Sequence, residues 1–245
     1  MRIEGGLSVK AALLAGSRSV EKIMLDEARH DKDAAFIRRA AAENHVPVVT
    51  MPRAEIDALA SGRTHGGVLA EAGSRRFQQL EECLQEETPF LALVEGVEDP
   101  FNLGYIMRSL YSAGCSGLIL DARDWGSAEA TILKSSAGAS EYIRIVMSRD
   151  AAADVRRCRE RGLICYAAMR KDAVPYFEAD FRKQFLIGIG GEMRGLSAAV
   201  LAEMTQNVYI PYANGFRNAL NAAGAAAALG FEALRQRSAS NRRTC

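Results

Sequence analysis

Apolar positions follow two rhythms along this chain. In the first part, short apolar runs alternate with helical patterns: Val9 to Ala15, Ile23 to Leu25, Ala34 to Asn44, Val46 to Thr50, Ile56 to Ala60 and Val68 to Ala70. Runs this short, switching between strand and helix periods, predict a small α/β unit. From Phe90 a stronger alternation begins, with FLALVEG, GLILD, IRIVM, LICYAA, FLIGIG and NVYIP as strands and helical patterns between nearly all of them. Strands that are apolar throughout, rather than at every second position, predict a parallel sheet covered on both faces by helices. The fold class is therefore α/β, with a mostly parallel sheet.

Between the two parts lies GSRRFQQLEECLQEETP, rich in charge and glutamine, with weak apolar periodicity and a closing Pro89. It reads as a linker that holds a short helix at most. The last helix runs from Leu220 to about Arg237, and its small residues, Ala222 to Ala228, permit close packing of another backbone. The expected division is a small domain over 1–72, a linker over 73–88, a larger domain over 89–238 and a tail over 239–245.

Composition narrows the class. No stretch of about 18 apolar residues is present, and the opening MRIEGGLSVKAALLAG lacks the long apolar core of a secretory signal, so a soluble, cytoplasmic protein is expected. Five cysteines (Cys83, Cys115, Cys158, Cys165, Cys245) stand far apart with no CxxC pair, which points to neither a disulfide framework nor a metal site. The net charge of +1 argues against a protein that coats nucleic acid through its overall field. Local basic groups occur at Arg29, His30 and Lys32, at Arg38 and Arg39, at Arg75 and Arg76, and at Arg242 and Arg243, each of which is equally an ordinary solvated face.

Three segments carry the candidate chemistry, all at the carboxyl ends of predicted strands, where α/β sheets place ligands. In the first, Glu95 to Arg108, a polar turn with Pro100 leads to Asn102, placed to cap a helix whose apolar stripe is Leu103, Ile106, Met107 and Leu110. Arg108 falls off that stripe, either as a surface ion pair or as a group reaching the rim of the sheet. The second, Leu186 to Ser197, is a glycine-rich turn, either a plain strand-to-helix connection or a place where backbone amides approach a ligand. A dinucleotide fingerprint is rejected, because Gly188 and Gly190 require a third glycine where Met193 stands. The third, Val208 to Asn221, runs from a strand through Asn214 and Gly215 into the final helix. A G-x-S-x-G elbow is absent, and His30, His45 and His65 all lie in the small domain, which removes the hydrolase readings.

In this order the segments resemble the three motifs of the SpoU/TrmH family of SPOUT methyltransferases. Asp99, Pro100, Asn102, Gly104 and Arg108 match D-P-x-N-x-G-x-x-x-R; Gly190, Glu192, Gly195 and Leu196 match G-x-E-x-x-G-L; Ile210 and Pro211, then Leu220 and Asn221, match I-P followed by S-L-N. Ser135 to Glu141 resembles a K-S-S-A-G-A-x-E stretch common between the first two motifs. At the N-terminus, Ile3-Glu-Gly, the strand around Lys22 to Leu25 and Thr64-His65-Gly-Gly-Val68 look like a small L30e-like RNA-binding domain, although His65 is equally a structural loop residue. One departure stands out: Ala219 replaces the serine of the third motif, and the preceding loop is one residue longer than usual.

The resemblance implies a larger domain with a deep C-terminal trefoil knot, an exception to the rule that chains do not thread loops. It implies a homodimer that transfers a methyl group from S-adenosylmethionine to a ribose 2′-hydroxyl of RNA, ribosomal in preference to transfer RNA. The cofactor is expected on the backbone around Gly190, Ile210 and Leu220, with Ile189, Gly195, Pro211 and Ala219 beside them. Arg108, Asn102, Glu192 and Asn221 are the expected catalytic group. Arg108 is expected to position phosphate and steady the developing alkoxide rather than act as a base, since a guanidinium does not readily give up its proton. The alternative, prompted by Ala219 and the near-neutral charge, is a non-catalytic RNA-binding or ribosome-assembly factor with the same fold.

Overall fold

The structure is a computed structural model that describes residues 1–123, 125–216 and 218–241, with side chains described to residue 239. Arg242, Arg243 and Cys245 lie outside the described residues. Along the chain the elements are β1 (Arg2–Glu4), α1 (Gly6–Ala15), β2 (Val20–Asp26), α2 (Lys32–Glu43), β3 (Val48–Met51), α3 (Arg53–Leu59), β4 (Val68–Ala72), α4 (Leu80–Cys83), β5 (Phe90–Glu95), α5 (Pro100–Ser112), β6 (Gly117–Asp121), α6 (Glu129–Ser135), α7 (Ala139–Tyr142), β7 (Arg144–Ser148), α8 (Ala151–Glu160), β8 (Ile164–Ala168), β9 (Ala173–Pro175), β10 (Phe185–Gly190), α9 (Ala198–Glu203), β11 (Gln206–Tyr209) and α10 (Ala222–Asn241). They form two compact units, one of residues 1–76 and 125–142, the other of 77–124 and 143–245.

The first unit holds a four-stranded sheet in the order β1-β4-β2-β3, mixed in direction. Its core joins Ile3, Ile23, Leu25 and Val68 from the strands to Val9, Leu13 and Ile37 from α1 and α2, with Leu133 of α6. His65 is buried here; its Nδ1 accepts from the Gly67 amide at 3.2 Å and its Nε2 lies 3.2 Å from Asp57, so it braces the loop before β4.

Residues 125–142, expected in the larger domain, pack with this unit. What holds them is a buried ionic cluster. Glu141 accepts from Arg18 Nε and Nη2, both at 2.9 Å, and from the Ser17 hydroxyl, while Arg75 Nη1 lies 3.5 Å from it. Glu129 adds a second contact to Arg18 at 2.6 Å. The side chains of Arg18 and Glu141 are each 1% exposed. Burial works against the Arg18 charge, but the hydrogen bonds from Glu141 and Glu129 outweigh it and hold its pKa above the ordinary value. Burial dominates at Arg75, whose pKa is pushed down to about 10.

The second unit is built on a seven-stranded, wholly parallel sheet in the order β7-β6-β5-β10-β8-β11-β9. All six strands expected here lie within one residue of their expected starts; β11 ends two residues before Pro211, and the edge strand β9, three residues long, carries too short a pattern to be read. Helices α5 and α10 pack together, closely enough that a Cβ on Gly230 would meet Ala113 at 3.1 Å, and α8 packs with α9. Helix α4, from the expected linker, buries Leu80 and Cys83 in the same core as Leu91, Ile119 and Leu186. Helix α10 extends four residues past the expected end.

Because removal of one partner leaves buried charge uncompensated, Glu141→Ala is expected to lower the stability of the first unit by about 3–5 kcal/mol in urea unfolding. A loss below about 1 kcal/mol would mean that the cluster does not hold residues 125–142 in place.

Candidate active site

The three motif segments meet at the carboxyl edge of the parallel sheet. After β5 the chain turns at Gly96, and Asp99 caps α5, accepting from the amides of Phe101 at 3.2 Å and Asn102 at 3.1 Å, with Pro100 in the first turn. Asn102 is therefore not the cap that its spacing suggested. A carboxylate three residues earlier already reaches those amides, which leaves the Asn102 carboxamide to donate to Glu192 Oε1 at 3.4 Å. Arg108 is exposed and makes no hydrogen bond or ion pair among the described residues.

Beyond β10 the chain folds back on itself. Gly191 donates to the Glu95 carbonyl at 2.8 Å, and Gly195 donates to the Gly191 carbonyl at 2.9 Å. The crossing has no room for side chains: a Cβ on Gly190 would lie 2.3 Å from the carbonyl carbon of Gly195, and one on Gly191 would lie 2.0 Å from the Gly96 oxygen. Two glycines thus bring the backbones of the first and second motifs together.

After β11 the third segment runs as an irregular loop into α10. The Leu220 amide donates to the Tyr212 hydroxyl at 2.8 Å, and Asn221 Oδ1 accepts from the Gly224 amide at 2.8 Å, so Asn221 caps α10. The Arg170 guanidinium lies over the Tyr212 ring, 4.6 Å from its centroid.

The second and third segments, with residues after β8 and in α10, line a cavity of about 400 Å³, within the range of roughly 300–1,000 Å³ usual for ligand sites. Ile189, Gly190, Gly195, Ile210, Ala219 and Leu220, all expected around a cofactor, line it, as does Glu192. Pro211, Asn102, Arg108 and Asn221 are not among the lining residues. The apolar wall includes Leu196, Leu201, Val208 and Leu229, and the rim carries Arg170, Arg194 and Tyr212. Of these, Arg170, Leu201 and Leu229 lie outside the three segments and were not expected. Arg170 follows β8, and only the pairing of β8 between β10 and β11 brings it to the site. Ala219 offers no hydroxyl, and the hydroxyl nearest the Leu220 backbone belongs to Tyr212.

Comparison with known proteins agrees with this geometry. Residues 89–231 match the model of the SpoU rRNA methylase family, and residues 2–78 match a family described as RNA 2′-O ribose methyltransferase substrate binding. A Pseudomonas putida protein named 23S rRNA (guanosine-2′-O-)-methyltransferase RlmB is 31% identical over 241 residues, 96% of either chain. Among solved structures, the SpoU methyltransferase AviRb from Streptomyces viridochromogenes matches with a TM-score of 0.82 at 24% identity, over 98% of this chain and 90% of that one. The AdoMet-bound rRNA methyltransferase from Sinorhizobium meliloti matches at 0.79 and 22% identity, over 96% and 86%. The whole-length relationship and the match across most of the second unit establish that this chain belongs to the SpoU rRNA methylase family.

Proposed function

We propose that this protein methylates RNA, moving a methyl group from S-adenosylmethionine to a ribose 2′-hydroxyl. The observation that carries this reading is that residues of the second and third family motifs line one cavity at the carboxyl edge of the sheet, with Asn102 of the first motif bonded to Glu192 at its rim. The names of the curated relatives favour ribosomal RNA as substrate, and the match over residues 2–78 supports RNA binding by the first unit. A ribosomal RNA substrate supports a cytoplasmic location.

The cavity fits the adenosyl group. Ile189, Leu196, Ile210, Leu220 and Leu229 supply an apolar slot for a purine, and the loop after β11 lies outside the strand ladder, so its backbone groups are available to polar atoms. The glycine crossing at 190–195 lets a ligand approach main chain rather than side chain. Bound there, S-adenosylmethionine supplies an electrophilic methyl carbon on a sulfonium. The acceptor oxygen must then be held in line with that carbon while its proton departs.

Arg108 is the group suited to that task. With no side-chain partner among the described residues, its guanidinium is free to take a phosphate and to steady negative charge developing on the ribose oxygen. Glu192, held by Asn102, fixes the rim of the cavity, and Asn221 acts through the helix start that it caps. These three are positioning residues.

Arg108 does not line the cavity of its own chain, and this incompleteness suggests a homodimer. On α5 it sits within an exposed row with Phe101, Tyr105 and Tyr111, at spacings that repeat along one helix face, and α10, packed beside it, exposes Phe231 at 49%. A second copy seated on this face would hide the aromatic row and carry Arg108 toward its neighbour's cavity.

Calorimetric titration is expected to give micromolar binding of S-adenosylmethionine to the native protein and its loss in Leu220→Trp, which fills the slot; equal binding by both would remove the cofactor from this cavity. In RNA methylation assays, Arg108→Ala and Arg108→Lys are expected to lower kcat by at least about 100-fold and 10-fold with cofactor affinity unchanged. Undiminished turnover of the lysine variant would contradict the role given to the guanidinium fork. Sedimentation should give about twice the 26.6 kDa chain mass, and Tyr105→Glu should halve it; a native protein that sediments as a monomer would end the dimer reading.

A further inference from the structure

On the other half of the same sheet edge, the strand register sets three polar side chains in a row. Glu95 ends β5, Asp121 ends β6 and Ser148 ends β7. Asp121 is the partner of Ser148, and the pairing of Val94 with Leu120 carries on to set Glu95 beside Asp121. Two residues earlier on the same face, Leu93, Ile119 and Val146 lie buried in the core that includes Val155 and Cys158 of α8. At the edge this face turns from apolar to polar and opens into a cleft of about 430 Å³, lined also by Arg149, Ala151 and Ala152 at the start of α8.

The polar groups of the cleft are only partly used. Glu95 Oε2 accepts from the Ser197 amide at 2.7 Å and Asp121 Oδ2 from the Gly96 amide at 3.2 Å, which leaves the second oxygen of each carboxylate as an acceptor. Burial, with the Glu95 charge adding to it, raises the Asp121 pKa above its ordinary value. Ser148 is 5% exposed, and its hydroxyl has no hydrogen-bond partner among the described residues. A buried hydroxyl in that state is costly unless something supplies the missing bond. Across the cleft, Asp150 caps α8 through the Ala153 amide at 2.9 Å, and the amides of Ala151 and Ala152 take no acceptor among the described residues.

This pattern selects its ligand. A floor of carboxylate acceptors calls for two adjacent donors, and a rim of helix-start amides with Arg149 calls for an acceptor next to them. A metal ion suits the floor but not the rim, because the N-terminal end of α8 and Arg149 both repel positive charge. Among the described residues there is no group of three or more His, Cys, Asp or Glu able to hold one. Guanine presents the matching edge: its N1–H and 2-amino group donate side by side, and O6 accepts beside them. Adenine would point its ring N1 lone pair at a carboxylate. Single-stranded RNA bases are read on this edge.

We propose that this cleft is a subsite for a guanine base of the bound RNA, with Asp121 and Glu95 receiving its donors. The assignment rests on the RNA-methylating reading above. The two pockets share a wall, since Leu196 lines the cofactor cavity and Ser197 the guanine cleft.

The test compares oligouridine hexamers that carry one central guanosine or one inosine, which lacks the 2-amino group, with guanosine and inosine 5′-monophosphates as free-nucleotide probes. The full chain is expected to bind the guanosine hexamer at least about tenfold more tightly than the inosine hexamer, the loss of one hydrogen bond to a charged group. Asp121→Asn should abolish the difference while S-adenosylmethionine binding stays unchanged, and Ser148→Ala should reduce it. Equal binding of the two hexamers by the native chain, or discrimination that survives Asp121→Asn, overturns the proposal. Discrimination between the monophosphates without any between the hexamers overturns the RNA assignment in favour of a free nucleotide. If Asp121→Asn loses cofactor binding and so has not folded, the native comparison decides alone. Absence of S-adenosylmethionine binding by the native chain would count against the methyltransferase reading, while the hexamer result would stand on its own.

Discussion

Close passage of backbone against backbone at the carboxyl edge of the parallel sheet is the constraint on which the rest of the active region depends. Gly190 continues β10 beside β5, and within two residues the chain must clear the Gly96 carbonyl and double back to Gly195. A methyl group at position 190 would sit 2.3 Å, and one at 191 would sit 2.0 Å, from main-chain atoms, far inside van der Waals contact. Because the crossing is made of main chain, the wall it forms is thin, and a cavity opens on one side of it and a cleft on the other. The cavity beside Gly190, the Glu192 rim and the Glu95 carboxylate, which receives the Ser197 amide, all take their positions from this crossing.

The second determinant is electrostatic and lies in the first unit. Residues 125–142 leave the second unit after β6 and return to it at β7, and they are held by Glu141 among Arg18, Arg75 and Ser17. Buried ion pairs add little net stability relative to apolar packing, but they are specific, since no other partner in a core can receive the charge. A carboxylate from the middle of the chain and two arginines from its beginning therefore specify one arrangement where apolar residues of similar size would allow several.

Caps and strands show how local chemistry resolves what patterns leave open. Asp99 takes the start of α5 from Asn102 because a carboxylate accepts two amides at once and proline follows it. The displaced Asn102 then becomes a link between the first and second motifs. Asn221, expected to act in the reaction, satisfies the first turn of α10, and Tyr212 supplies a hydroxyl to the third motif, where Ala219 has none.

Much of the fold was legible in the chain. Continuous apolar strands with helices between them determined a parallel sheet covered on both faces, because the backbone period and the burial of both faces are local properties of each segment. Gly190, Glu192, Ile210 and Leu220 were named through the resemblance to the family's motifs, each of which is one strand end and its turn, and they line one cavity. What only the tertiary structure decided is which distant segments become neighbours. Strand order brought Arg170 and Tyr212 together over the cavity, register set Glu95, Asp121 and Ser148 in one row, and packing moved Glu141 into the small unit. Those partners lie tens to more than a hundred residues apart, and a sequence carries periodicity within an element but no record of which elements will lie side by side.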